Sequence, residues 1–223
     1  MFRILFQGDS LTDACRDKEC KDVDTNKRLG VGYVNHVAAY LMSVNPEIRV
    51  KNNGVNGNRI VDLYARWTED TLNEEFDLLS ILCGVNDVGF QLRLNRGVET
   101  EKYRYVYDRM LYEVRQRHPD AKIVLCEPFL FKLRPEEVAY GTDIIENWDT
   151  WYGEICRRAE VVDEMAEKYG ALLVPSRRLF EEACRRAPGS HWSVDGIHLS
   201  PAGNGLLARE WLRCVEGADY VPV

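Results

Sequence analysis

Five short apolar runs, each followed by a stretch with helical spacing, constrain this chain more than any other feature. The runs are Arg3–Gln7, Arg49–Asn53, Asp77–Cys83, Lys122–Glu127 and Ala171–Val174. Each has the length of a strand, and such runs suit strands covered on both faces. Between them, apolar residues return every three or four positions. Val34, Val37, Ala38 and Leu41 form one stripe, and Ile60, Leu63, Tyr64 and Trp67 a second. Tyr103, Val106, Tyr107, Met110 and Val114 form a third. Trp148, Trp151, Tyr152, Ile155, Val162 and Met165 mark a long fourth helix. A short helix is expected around Leu179–Cys184. A last one opens at Ser200-Pro201, a cap followed by proline at the first helical position.

Strands that alternate with helices imply a parallel sheet with helices on both faces. The expectation is an α/β, flavodoxin-like three-layer sandwich whose five strands run in the order 2-1-3-4-5. No linker, repeat or low-complexity segment interrupts the 223 residues, so residues 1–223 read as one domain. The polar stretch Arg16–Arg28 reads as surface. In such sheets ligands bind at the carboxyl ends of the strands, near the switch point between strands 1 and 3. Those ends are Ser10, the Asn53–Gly57 loop and Gly84–Asp87.

Composition excludes several classes. The net charge of -7 disfavours a nucleic-acid or anionic-membrane surface, which needs clustered positive charge. The basic pairs Arg177-Arg178 and Arg185-Arg186 sit among acids and read as solvated helix faces. Met1-Phe2-Arg3 runs straight into the first strand without the charged lead and apolar core of a signal sequence. No apolar run reaches membrane-spanning length. The seven cysteines are scattered and contain no Cys-x-x-Cys, which suggests neither a zinc site nor a disulfide framework. A reduced, cytoplasmic protein without metal or cofactor is the simplest reading.

Four blocks carry candidate chemistry. Ser10, in Gly8-Asp9-Ser10-Leu11, stands where a strand stops, a rigid address for a nucleophile. Ser10-Leu11-Thr12-Asp13 equally fits a helix-start box, and locally the capping reading is the stronger. Asn53-Gly54-Val55-Asn56-Gly57 is either a tight turn or a backbone N–H offered to a ligand. Gly84-Val85-Asn86-Asp87 is either a self-bonded loop or an amide donor aimed into the crevice. Asp195-Gly196-Ile197-His198 is the sharpest. A carboxylate three residues before an imidazole can accept from the ring and leave its other nitrogen free as a base. Together the blocks supply a nucleophile, a base, its orienter and oxyanion donors, the parts of an acyl-transfer site.

In this order the blocks resemble the SGNH (GDSL) esterase/acylhydrolase family over nearly the whole chain. The resemblance implies Ser10 as nucleophile, His198 as base and Asp195 as its orienter. It implies an oxyanion hole of the Ser10 and Gly57 N–H groups and the Asn86 side-chain amide. No Gly-x-Ser-x-Gly elbow surrounds the serine, so the chain does not resemble the α/β-hydrolases. Leu29-Gly30-Val31-Gly32-Tyr33-Val34, Ala65-Arg66-Trp67 and Gly84-Val85-Asn86-Asp87-Val88 resemble the intracellular acetylxylan (acetyl-xylooligosaccharide) esterases, from which His191-Trp192-Ser193 departs.

These features point to a serine esterase that removes short acyl groups, acetyl foremost, from small carbohydrates. The alternative is a thioesterase or lysophospholipase acting on fatty acyl groups. Trp192, three residues before Asp195, is a candidate substrate contact or an aromatic packed under the loop. The expected partner is a small-molecule ester, with neither nucleic acid nor membrane; a homo-oligomer is compatible with the sequence. Asp9, Asp13, Asn86, Asp195 and His198 could instead serve a metal-dependent phosphoesterase, but the imidazoles are few for a two-metal site. A receiver-like binding module would need an acidic pair after strand 1, where Asp9 stands alone.

Overall fold

A computed structural model describes residues 1–20, 26–137 and 143–222. Residues 21–25 of the expected surface stretch Arg16–Arg28 lie outside the described residues. The strands are β1 (Phe2–Gly8), β2 (Ile48–Asn52), β3 (Leu78–Leu82), β4 (Lys122–Cys126) and β5 (Leu172–Val174). They pair in parallel in the order β2-β1-β3-β4-β5. Every residue of the central β3 is buried, which is why its sequence is a continuous apolar run.

Side chains alternate between two cores, as the two-residue period of a strand demands. Ile4, Phe6, Leu78 and Leu82 face one core with Val37, Leu41, Leu207 and Trp211. Leu5, Leu79 and Ile81 face the other with Leu63, Tyr107, Met110 and Val162. Helices Tyr33–Val44 and Pro201–Gly217 cover the first face, and Ile60–Ala65, Thr100–Arg117 and Trp148–Tyr169 the second. The one polar side chain of β3 is satisfied: the Trp211 indole donates to Ser80 Oγ at 3.0 Å.

The helix ends carry recognisable caps. Ser200 Oγ accepts from Gly203 N–H ahead of Pro201, as expected. Helix Ser176–Cys184 is capped by a carboxylate from another strand end. Buried Glu127 accepts from the N–H groups of Arg177 at 3.0 Å and Arg178 at 3.4 Å, where the helix dipole favours negative charge.

One segment differs from expectation. Gly84–Asp87 is not a loop: only Gly84 precedes helix Val85–Leu94, so Asn86 and Asp87 sit on its first turn. Val85, Asn86 and Gly89 are poor helix formers, and burial of Val85, Val88 and Gly89 overrides that propensity. Where it is described, the polar stretch Arg16–Arg28 is exposed or half-buried, as expected, and Arg16 Nε donates to Gly54 O at 2.8 Å.

Candidate active site

The chain leaves β1 through Gly8, where a Cβ would lie 2.3 Å from Leu82 O on the neighbouring strand. Only glycine allows that approach. The next residues turn into a short helix, Ser10–Asp13, whose cap is Asp9 and not Ser10: Asp9 Oδ1 accepts from Leu11 N–H at 3.0 Å. Ser10 Oγ is thereby released from capping and instead meets His198 Nε2 at 2.9 Å.

His198 is held from behind. Its Nδ1 lies 2.6 Å from Asp195 Oδ2, while Asp195 Oδ1 accepts the backbone N–H groups of Ile197 at 2.9 Å and His198 at 2.7 Å. The carboxylate therefore fixes both the ring and the turn that carries it. Gly196 makes this turn at a φ of +91°, and its carbonyl accepts Phe131 N–H at 2.9 Å. Ser193 braces the loop from inside, accepting from Gly196 N–H and donating to His198 O.

The electrostatics follow from these contacts. The hydrogen bond to Asp195 raises the His198 pKa above its ordinary value, against the opposing effect of burial. Burial pushes the Asp195 carboxyl up, but the His198 ring and the two backbone N–H groups outweigh it and leave the pKa lowered. Asp9 behaves oppositely. Burial lifts it to about 7 against the pull of Leu11 N–H and the His198 charge, and among the described residues its Oδ2 has no hydrogen-bond partner.

The loop after β2 is tied to this segment at several points. Val55 N–H donates to Gly8 O at 3.0 Å, Asn56 N–H to Asp13 Oδ2 at 3.0 Å, and Asn52 Nδ2 to Thr12 O at 2.6 Å. A Cβ on Gly54 would sit 2.4 Å from Asp13 N. Gly57 adopts a φ of +78° in the turn closed by Asn58 N–H to Val55 O. Among the described residues, no backbone carbonyl takes up the N–H of Ser10 or Gly57.

Helix Val85–Leu94 carries Asn86, the third expected donor. Asn86 Nδ2 donates one hydrogen to Asn58 O at 3.1 Å, which sets the amide orientation and leaves a second N–H. Its neighbour Asp87, fully buried, accepts Ile60 N–H at 3.0 and 3.2 Å on its two oxygens. Burial lifts that carboxyl to about 8. Two successive residues thus stitch the end of β3 to the turn after β2.

Arg66 is the residue whose role the motifs did not reveal. Its Nε donates to Asn58 Oδ1 at 2.7 Å, one terminal nitrogen to Gln7 Oε1 at 2.9 Å and Asp70 at 2.8 Å, and the other to Gly8 O at 3.3 Å. One guanidinium joins the end of β1 to the Asn58 turn, a use of its fixed fork that lysine could not reproduce. Its place in Ala65-Arg66-Trp67 was the sole signal in the sequence.

Trp192 lies apart from the serine. It is 8% exposed, its indole N–H donates to Ala187 O at 3.3 Å, and Arg186 covers its face. It does not line the cleft of about 330 Å³ that contains Ser10 and His198. The packing alternative accounts for its contacts, and a stacking platform would need an open face beside the serine.

Residues 6–206 match the family described as GDSL-like Lipase/Acylhydrolase. The chain belongs to that family. An acetylxylan esterase from Geobacillus stearothermophilus is 34% identical over 223 residues, spanning 98% of this chain and 95% of that protein. A candidate GDSL-like lipase from Parabacteroides merdae superposes with a TM-score of 0.86 at 32% identity, over 96% of this chain and 95% of the other. A catalytic serine-to-alanine mutant of the Geobacillus esterase, Axe2, superposes with a TM-score of 0.84 at 30% identity, over 100% and 97%. With this family the protein is a serine ester hydrolase, and a serine hydroxyl bonded to a carboxylate-held imidazole can perform acyl transfer to oxygen.

Proposed function

We propose that this protein removes acetyl groups from short xylo-oligosaccharides, with Ser10 as nucleophile, His198 as general base and acid, and Asp195 as the orienter of His198. The observation that carries the reading is the unbroken relay from Ser10 Oγ through His198 to Asp195, at 2.9 and 2.6 Å. The acetyl and xylan parts draw on the likeness to the Geobacillus acetylxylan esterase.

Ser10 Oγ attacks the ester carbonyl carbon as His198 Nε2 takes its proton. Charge develops on the carbonyl oxygen, which the N–H groups of Ser10 and Gly57 and the second N–H of Asn86 stabilise. Asp195 stabilises the imidazolium without itself taking the proton. The imidazolium gives its proton to the alcohol oxygen, the C–O bond breaks, and acetyl remains on Ser10. Water then attacks the acetyl carbon, losing a proton to His198. The proton returns to Ser10 Oγ as acetate leaves.

No helix among the described residues is long and apolar enough to cross a membrane. The cytoplasmic reading rests on cysteine usage, and the exclusion of nucleic acid on the net charge of -7. The test is fluorophosphonate labelling with Ser10→Ala as control, together with kcat/KM for acetyl, butyryl and octanoyl p-nitrophenyl esters and acetylated xylobiose. Labelling at Ser10 and preference for acetyl support the reading. Preference for octanoyl with no acetate released from the sugar would replace it with the fatty-acyl alternative.

A further inference from the structure

The cleft of about 330 Å³ beside Ser10 and His198 is walled by Asp13, Val31, Asn56, Leu199 and Asn204 among others. Its size is at the low end for small-molecule pockets, roughly 300–1,000 Å³. Neither Gly57 nor Asn86 lines it, whereas His198 does. The alcohol oxygen of an ester must reach His198 to collect its proton. A cleft that reaches His198 but neither Gly57 nor Asn86 suits the departing alcohol.

Two of its polar side chains, Asn204 and Asp13, present acceptors. Asn204, on the first turn of helix Pro201–Gly217, spends both amide hydrogens: Nδ2 donates to Leu199 O at 3.1 Å and Ser200 O at 3.0 Å. The opposite amide orientation would set its oxygen against two carbonyl oxygens. Oδ1 is thus the remaining atom. It lies 3.3 Å from where a Cβ on the cleft residue Gly32 would stand. Asp13, with a side chain 7% exposed, takes Asn56 N–H and Lys18 on Oδ2. Among the described residues no donor is bonded to its Oδ1. Two positioned acceptors favour a ligand that brings hydroxyl hydrogens, while Val31 and Leu199 offer apolar surface to the C–H face of a ring.

We propose that this cleft seats the leaving alcohol, with Asn204 Oδ1 and Asp13 Oδ1 accepting hydroxyl groups of a polyol such as a sugar. This assignment rests on the deacetylase reading above and gives its selectivity a location. It disfavours a fatty alcohol or thiol, which would leave both acceptors desolvated and unpaired.

The test compares wild type, Asn204→Ala and Asp13→Asn on acetylated xylobiose and p-nitrophenyl acetate, which share an acyl group but differ in hydroxyl content. In each variant the ratio of kcat/KM for the sugar to that for the aryl ester should fall roughly tenfold, mainly through KM, as expected for one lost hydrogen bond. An equal fall on both substrates would place these residues in support of His198 and overturn the proposal, as would an unchanged ratio. A second measurement needs no variant. Unacetylated xylobiose should inhibit wild-type hydrolysis of p-nitrophenyl acetate competitively and better than hexanol, and the reverse order would also overturn it. If wild type releases no acetate from the sugar yet cleaves octanoyl esters, the deacetylase reading itself falls, and this subsite with it.

Discussion

Arg66 Nε donates to Asn58 Oδ1 at 2.7 Å, and the carbonyl of that same Asn58 accepts from Asn86 Nδ2 at 3.1 Å. Asn58 thereby links the guanidinium to an amide it never touches. Replacing Arg66 with alanine should lower kcat, by as much as about 10²-fold if the Asn58 turn shifts by around 1 Å, with a smaller change in KM. Arg66→Lys should recover little, because an ammonium cannot span Gln7, Gly8 and Asn58 together. The decisive measurement is a double-mutant cycle with Asn86→Ala. If Arg66 acts through that donor, its kcat cost should largely vanish in the Asn86→Ala background. Full additivity would reduce Arg66 to a structural tie.

Asn86→Ala on its own should lower kcat by roughly 10²–10³-fold, the usual loss for one oxyanion donor. KM should move little, since the donor acts on charge that develops after binding. Steady-state kinetics on p-nitrophenyl acetate decide this. A change confined to KM would make Asn86 a ground-state contact.

The acid limb of the pH–rate profile should report His198. Its pKa is raised, first by the hydrogen bond to Asp195. Only the neutral ring accepts the Ser10 proton, so kcat/KM should fall as pH drops through a midpoint above the reference value of about 6.5. Asp195→Asn removes the cause of the elevation. Residual activity, lower by up to about 10⁴-fold, should have its midpoint at lower pH. An unmoved midpoint would assign the limb to another group. EDTA should leave the profile unchanged, and a loss restored by a divalent cation would return attention to the phosphoesterase alternative.

Trp192 gives a prediction of the opposite kind. Its indole is packed into the core shared by Leu206, Leu207 and Trp211, so Trp192→Ala should cost about 3 kcal/mol of stability. Urea unfolding would show this as a lower midpoint, mostly recovered by Trp192→Phe. Retained stability with a higher KM for acetylated xylobiose would restore the stacking platform.

Particular residues show what the chain discloses by itself. The alternation of Leu78 to Leu82 between two apolar faces was legible because a strand buried on both sides must be apolar throughout. The contact of Asp195 with His198 was legible as a spacing on one turn, whereas Ser10 read locally as a cap and joined them only through the ordered set of four blocks and the family they resemble. What escaped depends on distant partners. Helix Val85–Leu94 begins with residues of low propensity and is held by burial and by Asp87 bonding Ile60, 27 residues away. Arg66 stood out only within Ala65-Arg66-Trp67, and its contacts with Gly8 and Asn58 depend on the fold. The capping alternative for Ser10 failed because its neighbour Asp9 performs that task.

Ser10 and His198 meet although they stand 188 positions apart in the sequence. Closing so long a loop is slow compared with forming local helix, so the pair should come together late in folding. The loop that carries His198 is pinned to the last helix through Trp192 O, which accepts Ser200 N–H at 2.9 Å, and that helix docks by Trp211 against Phe6 of the first strand. Enzyme turnover is accordingly a stringent reporter of complete assembly. During refolding from urea, recovery of esterase activity should lag recovery of the helical circular-dichroism signal, since a nascent sheet with an undocked carboxyl end holds a serine but no base.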